Sequence, residues 1–296
     1  MLGKRLLSSA VIVPLLTAGM LFLPSGALLA LLIVVSVVAM FEFYKVLDHA
    51  SIPGFRFVGA TCGTLIILTT YMGFRWHAGE DPNASVVRAA EWRSFAIMCT
   101  VFILMVRQFP QKNNAQPLPT IACTLLGVLY LPFLLSFFVQ LGLFADNIDW
   151  HTPLFGRAGF YLAFYVLLVA KMTDTGAFFT GMLIGRHKLF PRLSPAKTWE
   201  GFSGGIVTGM VTSVVYFHFT GDRLGAVRVN LFHSLVLGAL LSVAGTIGDL
   251  AESLLKRAAM AKDSGTIVPG MGGMLDLLDS VLFVTPLFYF YIRVVL

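Results

Sequence analysis

The sequence predicts an all-α, polytopic transmembrane protein of about nine spans. Three observations lead there. Apolar residues make up 57% of the chain and charged residues only 12%, mean hydropathy is +0.83, and apolar runs of bilayer length recur from end to end. Such a composition excludes an ordinary soluble domain.

The runs lie at 6–23, 27–47, 57–74, 95–106, 118–141, 159–184, 201–219, 231–255 and 274–295. The first follows Lys4 and Arg5, as a secretory leader would, but a second run follows almost at once with no cleavage site between them. It therefore reads as a span. The fourth is short for a bilayer and needs Arg93 and Arg107 to snorkel. Through the fifth, the runs are rich in Leu, Val and Phe, with Glu42 the one acid close to a span end, so residues 1–158 read as scaffold. Cys62, Cys99 and Cys123 lie inside apolar runs and read as small buried hydrophobes, not as a disulfide framework.

Residues 159–296 read as the catalytic region, because charges enter their spans. Lys171 with Asp174, Asp249 with Glu252, and Asp276 with Asp279 are each spaced i, i+3 and so share a helix face. A centrally placed acid costs about 2.5–3.5 kcal/mol, so these five uncompensated acids would cost on the order of 10–15 kcal/mol. That rivals the whole stability of a typical domain. The acids must therefore bind something, and a cation facing a polar cavity is the reading that fits.

Orientation follows from the basic residues. With the amino terminus cytoplasmic, thirteen Lys and Arg fall on that side and seven on the other. The two most basic loops, 186–197 and 256–262, then face the cytoplasm, where anionic nucleotides and lipid headgroups are met. Gly181 with Gly185, Gly201 with Gly205, and Gly205 with Gly209 have the small-xxx-small spacing of close helix packing.

Two local features suggest anion sites. Ser194-Pro195 reads as a helix start, with Ser as the cap and Pro in the first turn, opening backbone N–H groups beside Lys197 and Thr198. The glycine-rich turn 269–273 leads into a helix through residues with little side chain to obstruct a phosphate. Together these parts suggest phosphoryl or nucleotidyl transfer, with Mg²⁺ held by acids from several helices and Arg and Lys offsetting a polyphosphate. His187 reads as a phosphate neighbour, since no Ser–His–Asp or Cys–His arrangement accompanies it. Each feature also has a plainer meaning: Lys171–Asp174 as a packing ion pair, Lys256, Arg257 and Lys262 as cytoplasmic anchors, Glu200 as a dipole complement. Asp249, Asp276 and Asp279 are the least easily explained that way, because no base nearby in sequence can pair with all of them.

The blocks Asp174-Thr-Gly-Ala-Phe, Ser194-Pro-Ala-Lys197-Thr198-Trp-Glu200-Gly, Gly248-Asp249-Leu-Ala-Glu252-Ser253 and Ser253-Leu-Leu-Lys256-Arg257 are followed by Lys262-Asp263-Ser-Gly, Pro269-Gly270, Gly272-Gly273-Met-Leu-Asp276 and Asp279-Ser280. In this order they resemble the signature of the phosphatidate cytidylyltransferases, the CDP-diacylglycerol synthases, from about Lys171 to the end of the chain. The resemblance implies a multi-pass enzyme of the cell inner membrane, a homodimer with its active site facing the cytoplasm. It would join CTP and phosphatidic acid into CDP-diacylglycerol with release of pyrophosphate, with no nucleic-acid partner. It also implies Mg²⁺ dependence and allows a further cation such as K⁺.

On this basis Asp249, Asp276 and Asp279 are expected as metal ligands and, with Lys197 and Lys256, as catalytic residues. Asp174, Arg186, His187, Lys188, Ser194, Thr198, Glu200, Glu252, Ser253, Arg257, Lys262, Asp263, Gly270, Gly272 and Gly273 are expected to contact substrate. The chain departs from the signature at Met271, where a His is usual, and at Leu277, where an Arg is usual. Competing readings are a CTP-dependent polyprenol or phytol kinase and an ion-coupled transporter. The synthase-like blocks speak against the first, and the confinement of acids to one half of the chain against the second.

Orientation is open to direct test. Single cysteines at Arg192 and Lys262, in a cysteine-free background, should react only with a cytoplasmic reagent, and one at Asp149 only from the opposite side. Reaction of Arg192 and Asp149 from the same face would overturn the assignment of the span between them.

Overall fold

A computed structural model describes residues 18–19, 21–76, 82–112, 114–143, 157–221, 223–224, 227–261, 264–265 and 272–296. Among these, eight helices are long and apolar enough to cross a membrane. We number them α1 (Ser25–His49), α2 (Arg56–Arg75), α3 (Pro82–Gln108), α4 (Pro117–Leu143), α5 (Arg157–Ile184), α6 (Trp199–Phe219), α7 (Leu231–Ala258) and α8 (Met274–Val294). Each matches an expected span, and all but α3 do so to within about three residues at either end. The first expected span lies almost wholly outside the described residues, as do Lys4, Arg5 and Asp149.

The short fourth span is corrected. Helix α3 has 27 residues, about 40 Å at 1.5 Å per residue, and so crosses with length to spare. Its polar start hid it, because Arg88, Glu91 and Arg93 interrupt the apolar run. Arg93 does not need to snorkel: its guanidinium lies 4.5 Å from the ring centre of Phe137 and 5.3 Å from that of Phe133. Both rings belong to α4, and such a cation–π contact offsets part of the cost of an embedded charge.

The chain divides into two compact units, Met1–Gly156 with Ala258–Leu277, and Arg157–Arg257 with Leu278–Leu296. In the first, α2 packs against α3 and α4. Helix α4 contains a π-helical turn, Leu129–Phe133, around Pro132. Proline removes one backbone donor, and widening the turn absorbs that loss. The Tyr44 hydroxyl of α1 donates to the Thr124 carbonyl of α4 at 3.1 Å.

In the second unit α5 and α6 lie in close contact. A Cβ on Gly205 would come within 3.1 Å of Ala177 Cβ, and one on Gly209 within 2.9 Å of Thr173 Oγ1, so the glycine spacing serves close packing. Buried hydroxyls bind the helices to one another. Tyr165 of α5 meets Ser213 of α6 at 2.8 Å, and Ser213 donates to the Ser234 carbonyl of α7 at 2.6 Å. Thr173 likewise meets Ser242 of α7 at 2.8 Å.

Between α5 and α6 the structure overturns the expected helix start at Ser194-Pro195. Lys188–Phe190 (β1) and Ser194–Thr198 (β2) form an antiparallel hairpin. A residue before proline is driven toward extended conformation, which suits Ser194 to a strand. The helix begins at Trp199 with Thr198 as its cap, the Thr198 hydroxyl accepting from the Gly201 N–H at 3.1 Å. A second small hairpin pairs β3 (Arg223–Leu224) with β4 (Val227–Arg228).

A double-mutant cycle on Tyr165→Phe and Ser213→Ala should give a coupling of about 0.6 kcal/mol in detergent, the average for interhelical side-chain hydrogen bonds, and not above about 1.7 kcal/mol. Additive effects would mean that this bond does not hold α5 to α6.

Candidate functional site

The second unit gathers charge from three helices and a strand. Asp249, Glu252 and Asp279 each present a carboxylate oxygen, and these oxygens lie within 4.8 Å of one another. Asp249 and Glu252 come from one face of α7, and Asp279 from α8. Helix α8 can approach because residue 248 is glycine: a Cβ there would stand 3.1 Å from the Asp279 carbonyl carbon and 3.2 Å from Phe283. Glu252 and Asp279 are buried, at 2% and 8% exposure, whereas the Asp249 side chain is 34% exposed.

Lysines surround the acids. Lys197 of β2 reaches Asp249 at 2.7 Å and also donates to the Thr246 carbonyl at 3.5 Å. Lys256 pairs with Glu252 one turn along α7 at 3.0 Å. Lys171 lies 3.8 Å from Asp174. Asp279 is answered differently: Ser280 donates to it through both its N–H and its hydroxyl, the latter at 2.8 Å. That hydroxyl also lies 3.4 Å from Asp174 Oδ2. Among the described residues no Lys or Arg pairs with Asp279. The basic partner of Asp249 thus comes not from nearby sequence but from 52 positions away.

The hairpin holds a second polar group. Glu200, in the first turn of α6, accepts from the backbone N–H groups of Arg186 and His187 at 3.1 and 3.2 Å, and its other oxygen lies 2.6 Å from His187 Nδ1. The Trp199 N–H donates to the His187 carbonyl at 2.9 Å. Glu200 thereby ties the start of the hairpin to the start of the helix. Arg186, His187 and Lys188 are exposed, Ser194 is half-buried, and Thr198 is buried against Gly181 and Gly201.

Asp276 has a different set of partners, in the first unit. Its Oδ2 accepts from the Ser264 hydroxyl and the Gly273 N–H, both at 2.7 Å. Ser253 is half-buried on α7, and Arg257 is exposed at that helix's end. Leu277, where the resembled signature has Arg, is half-buried on α8. Lys262, Asp263, Gly270 and Met271 lie outside the described residues.

Reading by sequence missed Ser280 and Glu42. Ser280 had a signal, its place directly after Asp279. Glu42 had only its isolation as an acid among apolar residues, because the N–H that it accepts, that of Leu275, is 233 positions away.

A model of the cytidylyltransferase family matches residues 3–295. The phosphatidate cytidylyltransferase of Haemophilus influenzae is 32% identical over 301 residues, covering 98% of this chain and 99% of that protein. The phosphatidate cytidylyltransferase of Bacillus subtilis is 31% identical over 255 residues, covering 86% of this chain and 84% of its own length.

Thr198 can be tested as a helix cap independently of chemistry. Thr198→Ala should lower stability by about 0.5–2 kcal/mol, and Thr198→Ser should restore most of it. An unchanged thermal midpoint for the alanine variant would leave α6 without the cap described here.

Proposed function

The chain belongs to the cytidylyltransferase family, and from that premise we propose that it transfers the cytidylyl group of CTP to phosphatidic acid, forming CDP-diacylglycerol and pyrophosphate. An oxygen of the lipid phosphate attacks the α-phosphorus of CTP. The bond from that phosphorus to the β-phosphate bridging oxygen breaks, and pyrophosphate leaves with the electron pair. The nucleophile is already an anion, so the protein's task is to align two phosphates and offset the charge that gathers between them.

The observation that carries this reading is the close approach of Asp249, Glu252 and Asp279 beside Lys197 and Lys256. Oxygens around Mg²⁺ sit at about 2.1 Å, so neighbouring ligands are about 3 Å apart and opposite ones about 4.2 Å. Oxygens within 4.8 Å reach that geometry by a side-chain rotation, for which the part-exposed Asp249 has room. The donor set, all carboxylate, suits a hard divalent cation. When bound, the ion would supply Lewis-acid polarisation of phosphate oxygens.

We assign Asp249, Glu252 and Asp279 as the carboxylates that hold it. Asp276, expected as a ligand, accepts two hydrogen bonds through Oδ2 at the start of α8, and we assign it to shaping the start of that helix. Lys197 and Lys256 pair with Asp249 and Glu252, and we assign them to phosphate once those carboxylates hold the ion. Ser280 fixes the orientation of Asp279. Glu200 holds the hairpin whose exposed Arg186, His187 and Lys188 would meet the triphosphate, with Asp174, Ser194, Thr198, Ser253 and Arg257 lining or supporting the approach. We place the site on the cytoplasmic face of a bacterial inner membrane, in a homodimer, from the basic loops and the resemblance.

The deciding assay uses purified protein, phosphatidic acid, Mg²⁺ and CTP labelled in the cytosine. Label in the lipid together with released pyrophosphate is expected, and unlabelled lipid in an otherwise folded preparation would overturn the proposal. Asp249→Asn and Asp279→Asn should each insert and fold but lose at least about a thousandfold in turnover, the loss of several kcal/mol of transition-state stabilisation. Near-normal activity in both variants would remove the metal assignment.

A further inference from the structure

The amino-terminal helix α1 carries a carboxylate with no place in the reaction just described. Glu42 is only 7% exposed, whereas the other charged side chains of that helix, Lys45 and Asp48, are exposed at its end. A buried acid in a spanning helix is costly and persists where something depends on it. Its Oε2 accepts the Leu275 N–H at 2.9 Å. Leu275 is the second residue of α8, and the first four N–H groups of a helix have no partner within it. Glu42 therefore supplies one that the helix cannot supply for itself, and sets a negative charge at the positive end of its dipole.

Gly265 and Gly273, before α8, lie close against this carboxylate. A Cβ on Gly265 would come within 2.9 Å of Glu42 Cδ, and one on Gly273 within 2.8 Å of Glu42 Cδ and 2.6 Å of Ser264 Oγ. Gly272 has φ of +104°, and a Cβ there would stand 3.0 Å from Asp276 Cγ. A left-handed φ of this kind suits glycine alone. These glycines thus make room for two carboxylates, Glu42 of α1 and Asp276 of α8. Apolar contacts hold the same segment a few residues earlier, where Val46 of α1 packs with Ala259 and Ala261.

We propose that Glu42 is a positioning residue for the cytidylyl transfer: its carboxylate latches the first turn of α8, fixing Gly272, Gly273 and Asp276, with Asp279 one turn further along that helix. The inference rests on the function proposed above, since a latch on α8 matters to turnover only if the acids of α8 serve it. It adds a residue from the part of the chain that its sequence marks as scaffold.

Two variants separate positioning from bulk stability. Glu42→Gln keeps the shape and one acceptor oxygen, whereas Glu42→Met keeps the volume and removes both acceptors. In the full-length protein in detergent, we expect Glu42→Met to lose at least about tenfold in kcat per folded molecule with KM for CTP changed less than about threefold. Glu42→Gln should recover to within about fivefold of the parent. An apolar residue in an apolar bundle is not expected to unfold it, so a folded Glu42→Met with parental kcat would overturn the proposal. So would a Glu42→Gln as impaired as Glu42→Met. Hydrogen exchange at the Leu275 amide gives a reading that survives even if Glu42→Met fails to fold. In the parent protein this first-turn amide should be protected, and in Glu42→Gln it should exchange faster while the rest of α8 stays as before. Parental exchange as fast as an open helix end would show that the latch does not form. If the parent makes no labelled lipid, the proposed function fails first, and the exchange at Leu275 then reports on the latch alone.

Discussion

Carboxylates inside apolar helices must be answered by donors or cations from the protein itself, and much of this structure can be derived from how each one is answered. Asp174 has Lys171, Asp249 has Lys197, and Glu252 has Lys256. Glu42 has the start of a helix, and Asp276 has a hydroxyl and an amide. Asp279 has Ser280, and among the described residues no lysine or arginine within 4.0 Å. Direct contact with a cation is thus lacking at one of the three acids whose oxygens approach each other. That is where a divalent cation would add most, because hydrogen bonds from a serine offset only part of a buried charge.

The lysines explain why the region is built from a strand as well as helices. If residues 194–198 were helical, Lys197 would belong to the first turns of α6, with its reach set by that helix. In the extended β2 it instead spans to α7 and meets Asp249, while the next residue, Thr198, closes the N-terminus of α6. One short strand therefore places a mobile cation and caps a helix with adjacent residues. Glu200 completes the arrangement by binding the N–H groups of Arg186 and His187, which precede β1. The exposed basic residues of the hairpin are thus held on a fixed base and keep their charges toward solvent.

Spans were legible because the bilayer imposes one length on every helix and hydropathy reads that length directly. Helix α3 was the exception, for Arg93 is satisfied by two aromatic rings of α4 and a hydropathy count has no way to register that contact. The acids of the site were legible for the same energetic reason that made the spans so, since a charge in an apolar run stands out. Their partners were not. Lys197 looked like a residue of a cytoplasmic loop, and its pairing with Asp249 depends on a turn of chain that no local pattern specifies. Ser194-Pro195 misled because the same two residue types begin helices and suit strands, and the choice is made by the pairing of β2 with β1.

Glu42 shows most clearly where a linear reading stops. Its surroundings in sequence are those of a plain spanning helix, yet the backbone group it binds starts the last helix of the chain. The segment Ala258–Leu277 belongs to the same compact unit as α1, so the first half of the chain supplies a support on which the start of α8 rests. The glycines at 272 and 273 look different in that light. As a sequence they suggest a loop cleared for an incoming phosphate. As a structure, the space beside 273 is filled by the Glu42 carboxylate, and that beside 272 by Asp276. A glycine-rich turn next to acidic residues can therefore record the protein's own carboxylates as readily as a ligand's oxygens. Both fill the same van der Waals volume, and only the geometry of the folded chain tells them apart.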